Sequence, residues 1–151
     1  MQLALPRAGK KGFSLVELVI VVVILGIIGA IAIPRMSRGA AGAADSGLMA
    51  DLAVLRNAIE LYAAEHAGAY PKVATFTEQM TTYTAADGTA KATKDADHPF
   101  GPYLTSIPAI KVGPQQGNNG VAAAAADGVA WVYNETLGTI KANAPSPYDG
   151  Y

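Results

Sequence analysis

Glu17 offers the most chemistry in this chain. It is the only ionisable side chain in the twenty-one residues from Phe13 to Ile33, and Ser14 is the only other polar one. A charge in such a run is costly, about 2.5–3.5 kcal/mol for an Asp-type charge at the centre of a bilayer. Glu17 lies about one turn from the start of the run, which lowers that cost. Two readings follow. The carboxylate is favoured by the helix N-terminus and sits close to the headgroups, or it awaits a cationic partner.

Other chemistry is sparse. His66 and His98 are far apart and lack ligand-type spacing, so both read as surface histidines. The acids Asp87, Asp95, Asp97, Asp127 and Asp149 fall in loop-like sequence, and their oxygens suit calcium. Their spacing matches no calcium loop, and solvated turn residues are the better reading, so no metal or other cofactor is assigned. The chain has no phosphate-binding Gly-Lys-Ser/Thr and no nucleophile elbow, which leaves no catalytic residues to name. It has no cysteine, so a disulfide is excluded.

The element that positions Glu17 is the apolar run itself. As a helix, twenty-one residues span ~31 Å, the thickness of a bilayer's hydrocarbon core. Val19 to Leu25 has no polar side chain, unlike the helix of a water-soluble core. Arg7, Lys10 and Lys11 precede the run and Arg35 and Arg38 follow it, which favours a cytoplasmic N-terminus by three charges to two. Ala30-Ile31-Ala32 also resembles a signal-peptide cleavage site, which would release a soluble protein. The early Glu17 and the length of the run weigh against that.

The chain has 151 residues, one domain's worth, and a net charge of −1. Losing Arg7, Lys10 and Lys11 with residues 1–12 would take this to −4, and no basic patch points to nucleic acid. Pro34 is expected to end or kink the first helical segment. Gly39, Gly42 and Gly47 weaken the stretch after it. A helical period returns from Asp45 to about His66, with Asp45 or Ser46 as a candidate cap. Leu48, Leu52, Leu55, Ile59 and Tyr62 form one stripe, expected to pack on a sheet. Val54, Ala58 and Leu61 form a weaker stripe, facing either other subunits or the same core. Gly68 and Pro71 should stop the helix. A short helix is expected within Thr75 to Thr84, an exposed loop from Ala85 to Asp97, and an anchored turn from Phe100 to Pro108. Strands are expected at Val129–Tyr133 and Gly138–Ala142. A third is expected in Val121–Ala126 or near Ile110–Val112, then a C-terminal loop.

The run Lys10-Lys11-Gly12-Phe13-Ser14-Leu15-Val16-Glu17, entering the apolar stretch, resembles the class III signal of type IV pilins and type II secretion pseudopilins. The resemblance is strong from Lys10 to Pro34, moderate to about Pro71 and weak beyond. Gly68-Ala69-Tyr70-Pro71 resembles the helix exit of major pseudopilins. Gly101-Pro102-Tyr103-Leu104, followed by Ile107-Pro108, resembles a run in pseudopilin-like proteins. The resemblance implies an α+β pilin-like fold, a long N-terminal helix packed on a small C-terminal antiparallel β-sheet. It implies a leader at 1–12, a transmembrane assembly helix at 13–34, the soluble half of the helix at 35–67 and a globular loop and sheet region at 68–151. A prepilin peptidase would cut between Gly12 and Phe13 and N-methylate Phe13. Glu17 would pair with the terminal amine of an adjacent subunit.

The implied protein is no enzyme but a filament subunit. It is single-pass in the inner membrane, with its C-terminal region in the periplasm. Its implied partners are copies of itself, other pseudopilins, the peptidase and an inner-membrane assembly platform. Major pseudopilins bind calcium in a C-terminal loop, but no ligand residue carries over. The absence of cysteine departs from many major pilins and favours the pseudopilin branch. The alternatives are a type IV pilin for adhesion or DNA uptake, a membrane-anchored extracytoplasmic binding module and a secreted soluble domain.

Overall fold

The computed structural model describes residues 12–146 and Tyr148, with backbone alone for residues 33–38. Arg7, Lys10, Lys11 and Asp149, and the side chains of Pro34, Arg35 and Arg38, lie outside the described residues. The chain forms two compact units, residues 1–41 and 42–151. The architecture is α+β and pilin-like, with the helix of the second unit packed on small sheets.

One α-helix, α1, runs from Leu15 to Glu65 without interruption. Pro34 therefore does not end it, and the glycines at 39, 42 and 47 are absorbed within it. A proline or glycine costs helix stability locally, but a long helix spreads that cost over many intact turns. Asp45 and Ser46 are not caps. The Ser46 hydroxyl bonds back to the Gly42 carbonyl at 2.9 Å, and Asp45 accepts from the Tyr148 hydroxyl at 2.5 Å.

In the second unit the expected stripe is the core. Leu48, Leu52, Leu55, Ile59 and Tyr62 are all buried. They meet Phe76, Met80, Ile110, Trp131, Tyr133 and Ile140 in one cluster. The helix exits where Ala67 and Gly68 take positive φ, 54° and 87°. There the Gly68 N–H closes the last turn on the Ala63 carbonyl at 2.8 Å. Glycine suits this left-handed position because it has no Cβ to clash.

A 3-10 turn at Val73–Thr75 leads into α2, Phe76–Thr81. Strands β1, Tyr83–Thr84, and β2, Ala90–Lys91, then pair antiparallel around the Asp87-Gly88 turn. The segment expected as a plain loop thus carries a short hairpin. Backbone N–H groups of Tyr103 and Leu104 both donate to the Met80 carbonyl, at 3.0 and 2.8 Å. The Trp131 indole N–H reaches the Pro108 carbonyl at 2.8 Å. These contacts anchor the turn from Phe100 to Pro108, which includes the cis Gly101–Pro102 bond.

The main sheet has the order β3-β4-β5, with β3 at Gly120–Ala122, β4 at Val129–Asn134 and β5 at Thr139–Ala142. β4 and β5 form the expected antiparallel hairpin, with Asn134 Oδ1 accepting from the N–H groups of Thr136 and Leu137. β3 is parallel to β4, so the sheet is mixed rather than purely antiparallel. Parallel strands ordinarily need a crossover of a dozen or more residues. Here residues 123–128 suffice because β3 has only three residues to retrace. A Cβ at Gly120 would lie 2.6 Å from the Gly128 carbonyl oxygen, so the close return requires glycine. Asn143 Nδ2 holds the loop by donating to the carbonyls of Ala126 and Val129, at 3.0 and 2.8 Å.

Candidate functional site

Helix α1 begins at Leu15, and its first turn contains Glu17. The first helical bond runs from the Leu18 N–H to the Ser14 carbonyl at 3.1 Å. Gly12 and Phe13 precede it in non-helical backbone, and both are exposed. The Gly12–Phe13 bond thus lies ahead of the helix and is open to solvent. Glu17 lies four residues beyond Phe13 in sequence, in the first turn of the helix.

Leu15–Ala32 is eighteen residues long and apolar enough to cross a membrane, with no residue buried within the chain. Its large side chains, from Leu15 to Ile31, are exposed. Such a surface is stable in lipid, where a helix satisfies its own backbone hydrogen bonds, or against other apolar helices. Within this segment Glu17 remains the only charge.

The second unit adds a feature that the sequence left open. Of the weaker stripe, Ala58 is buried, whereas Val54 and Leu61 are each 52 % exposed. They share the outer surface of the helix with Ala50, Ala53, Asn57 and Ala64, all exposed and uncharged. Helix faces turned to water are normally charged or polar, so this strip suits another surface. Of the charged residues around it, Glu60 is exposed at the edge and three others are engaged. Asp51 pairs with Lys111, Glu65 accepts from the Tyr103 hydroxyl at 2.6 Å, and Arg56 donates to the Ile140 carbonyl at 3.3 Å.

The loop acids serve their own turns. Asp87 accepts from the Thr89 N–H at 2.9 Å, the principal reason its carboxyl is held below the usual range. Asp95 takes Lys91, the His98 ring and the N–H groups of Asp97 and His98. Lys91 first, and His98 next, hold its carboxyl well below the usual range. Asp127 accepts from Gln115 and the Gly128 N–H. Among the described residues no group of three or more His, Cys, Asp or Glu converges as metal ligands would.

His66 departs from its surface reading. It is 4 % exposed and stacks on Tyr62 at 3.8 Å and 3°. The spacing of Tyr62 and His66, four apart, placed them on one helix face. Their burial depends on Phe100 and Tyr103, distant in sequence, which no local pattern reveals.

An exposed apolar span with one acid in its first turn fits the N-terminal region of a membrane-anchored, pilin-like protein. Residues 7–33 match the family model described as the prokaryotic N-terminal methylation motif, the signal of type IV pilins and pseudopilins. No curated protein and no solved structure matches the chain. The motif implies processing by a prepilin peptidase, and with the apolar helix it fits a single-pass membrane-anchored protein.

Proposed function

We propose that this chain is a structural subunit of a type IV pilus-like filament, most directly a pseudopilin of a type II secretion system. The observation that carries the reading is the methylation motif over residues 7–33. The peptidase removes residues 1–12 and methylates the new Phe13 terminus. The mature chain rests in the inner membrane with its second unit in the periplasm. During assembly the span exchanges lipid for the same span of neighbouring copies, and both environments suit its hydrocarbon surface.

Glu17 makes that exchange specific. A carboxylate buried in a helix bundle without a counter-charge is expensive. Pairing with the Phe13 amine of a neighbour removes the penalty at one axial register alone. Pro34 serves as a point of bending when copies pack. The uncharged strip of Val54, Asn57 and Leu61 supports the reading by offering a second surface for neighbours beyond the span. Mass spectrometry of the purified protein tests this. A methylated Phe13 terminus supports it, an intact leader indicates a stable membrane-anchored binding module, and a terminus at Ile33 indicates a secreted soluble domain.

A further inference from the structure

The chain has five asparagines, Asn57, Asn118, Asn119, Asn134 and Asn143. Asparagine is thermolabile because a backbone nitrogen can displace its side-chain amide. That nitrogen belongs to the next residue, so the reaction needs an unheld side chain, a yielding peptide and a small successor. Asn57 lies inside α1 and is followed by Ala58, and helical N–H groups are held by carbonyls four residues back. The Asn118 amide donates to Gln115 Oε1 at 2.9 Å, and its backbone carbonyl accepts from the Ile110 N–H at 2.8 Å. Asn134 Oδ1 is taken by the N–H groups of Thr136 and Leu137. Asn143 Nδ2 donates to the carbonyls of Ala126 and Val129.

Asn119 differs on every count. It is exposed, lies outside any helix or strand and makes no side-chain hydrogen bond among the described residues. Its successor is Gly120, whose missing Cβ leaves the nitrogen open to approach and the backbone free to turn. The β3–β4 ladder is irregular at this point, with a register shift between Gly120 and Val121. Two aspartates also precede glycine among the described residues. Thr89 holds the Asp87 carboxyl in its ionised form, and Asp127 is bonded to Gln115 and to the Gly128 N–H. An ionised carboxylate is a poor electrophile, whereas the Asn119 amide is neutral.

We propose that Asn119 is a site of spontaneous covalent modification, at which the chain converts this amide to an aspartyl or isoaspartyl linkage. A solvent base takes the Gly120 N–H proton, and the nitrogen attacks Asn119 Cγ. The bond from Gly120 N to Cγ forms, the Cγ–Nδ2 bond breaks, and Nδ2 leaves as ammonia with a proton from solvent. A five-membered imide remains, and one water opens it. Cleavage at Cγ leaves an aspartate on a normal backbone. Cleavage at the backbone carbonyl leaves an isoaspartyl linkage, with the chain running through Cβ and Cγ. Nothing is oxidised or reduced.

Either product adds one negative charge to a chain of net charge −1. The isoaspartyl product also lengthens the main chain by one carbon at the threshold of β3. The return of the chain is tight there, since a Cβ at Gly120 would sit 2.6 Å from the Gly128 carbonyl oxygen. Val121 packs on the core from the next position, and β3 has only three residues to hold it. Modification therefore loosens β3 from β4 and uncovers the core beneath Val121. An aged chain presents a different sheet edge from a new one. The inference does not depend on filament formation.

The test ages the full chain in detergent from neutral to mildly alkaline pH, beside the same chain in denaturant. Peptide mass spectrometry follows each asparagine, and chromatography separates aspartyl from isoaspartyl products. The folded chain is expected to lose the amide at Asn119, to give both products at a rate that rises with pH, and to keep the amides of Asn57, Asn118, Asn134 and Asn143. Amide exchange at Val121 and Ala122 should quicken in step with the isoaspartyl fraction. Asn119→Gln lacks the five-membered route and should keep both its amide and its slow exchange. Conversion in denaturant with an intact Asn119 in the folded chain overturns the site, because the fold then protects it. Equal loss at another asparagine of the folded chain also overturns it. Unchanged exchange in the converted chain, or the same quickening in Asn119→Gln, overturns the loosening of β3.

Discussion

Two stretches of one helix differ in what covers them. From Leu15 to Ala32 nearly every side chain is apolar and none is buried by the chain itself. From Gly42 to Glu65 the apolar residues are sorted, with Leu48, Leu52, Leu55, Ile59 and Tyr62 against the core and charges mostly paired around the rim. The first stretch depends on surfaces outside the chain, and the second largely supplies its own. Substitutions should therefore act on different observables, folding in the second stretch and assembly in the first.

The largest expected effects break the second stretch. Trp131→Ala removes a fully buried ring and its bond to the Pro108 carbonyl, at a cost of about 3–5 kcal/mol. Leu52→Ala should cost about 2–5 kcal/mol. Thermal unfolding in detergent reads both, and Ile24→Ala serves as the contrast, with no shift expected in the unfolding of the second unit. Comparable losses in all three would erase the distinction between the stretches.

Glu17→Ala tests the first stretch. On the proposed pairing with a neighbour's Phe13 amine, removing one partner of a buried ion pair costs about 3–5 kcal/mol, so assembled filaments should fall sharply while cleavage after Gly12 proceeds. Electron microscopy and the mass of the processed chain read the two separately. Wild-type filament yield from Glu17→Ala would remove the assembly role.

Val54→Glu and Leu61→Glu sharpen the comparison where the stretches overlap in character. Both positions face outward, so stability should change by no more than about 0.5 kcal/mol, while assembly is impaired. A large drop in unfolding temperature would show that the strip belongs to the fold and not to a neighbour.

Smaller effects come from the rim. Lys111→Ala loses the pair with Asp51, which is partly solvated and worth about 0–1 kcal/mol, less at high salt. Asp95 has a carboxyl held below its usual range in the folded state. Its contribution is present above the unfolded value and is lost only as pH falls through the lower folded one. Asp95→Asn should therefore speed amide exchange at residues 91–98 at neutral pH and matter little in strong acid.

Much of this was legible in the residues. The span and its single acid need no partner to be recognised, because a bilayer-length apolar run has few other uses. The buried stripe followed from spacing, since helix geometry alone decides which side chains share a face. The β4–β5 hairpin followed from its β-prone runs and the turn between them. The mixed sheet did not, because β3 has only three residues and its direction depends on a close approach of Gly120 to Gly128. Asp45 looked like a cap until Tyr148, over one hundred positions away, proved to hold it.

The sequence by itself determined the membrane-length helix, its lone carboxylate, the methylation motif over residues 7–33 and the face that seeks a core. These depend on composition and local periodicity, which act between neighbours along the chain. Only the tertiary structure decided that His66 is caged between carbonyls and rings, that β3 runs parallel, and that Val54 and Leu61 stay uncovered. Burial and hydrogen-bond partners are set by residues far apart in sequence, and they exist only once the chain has closed on itself.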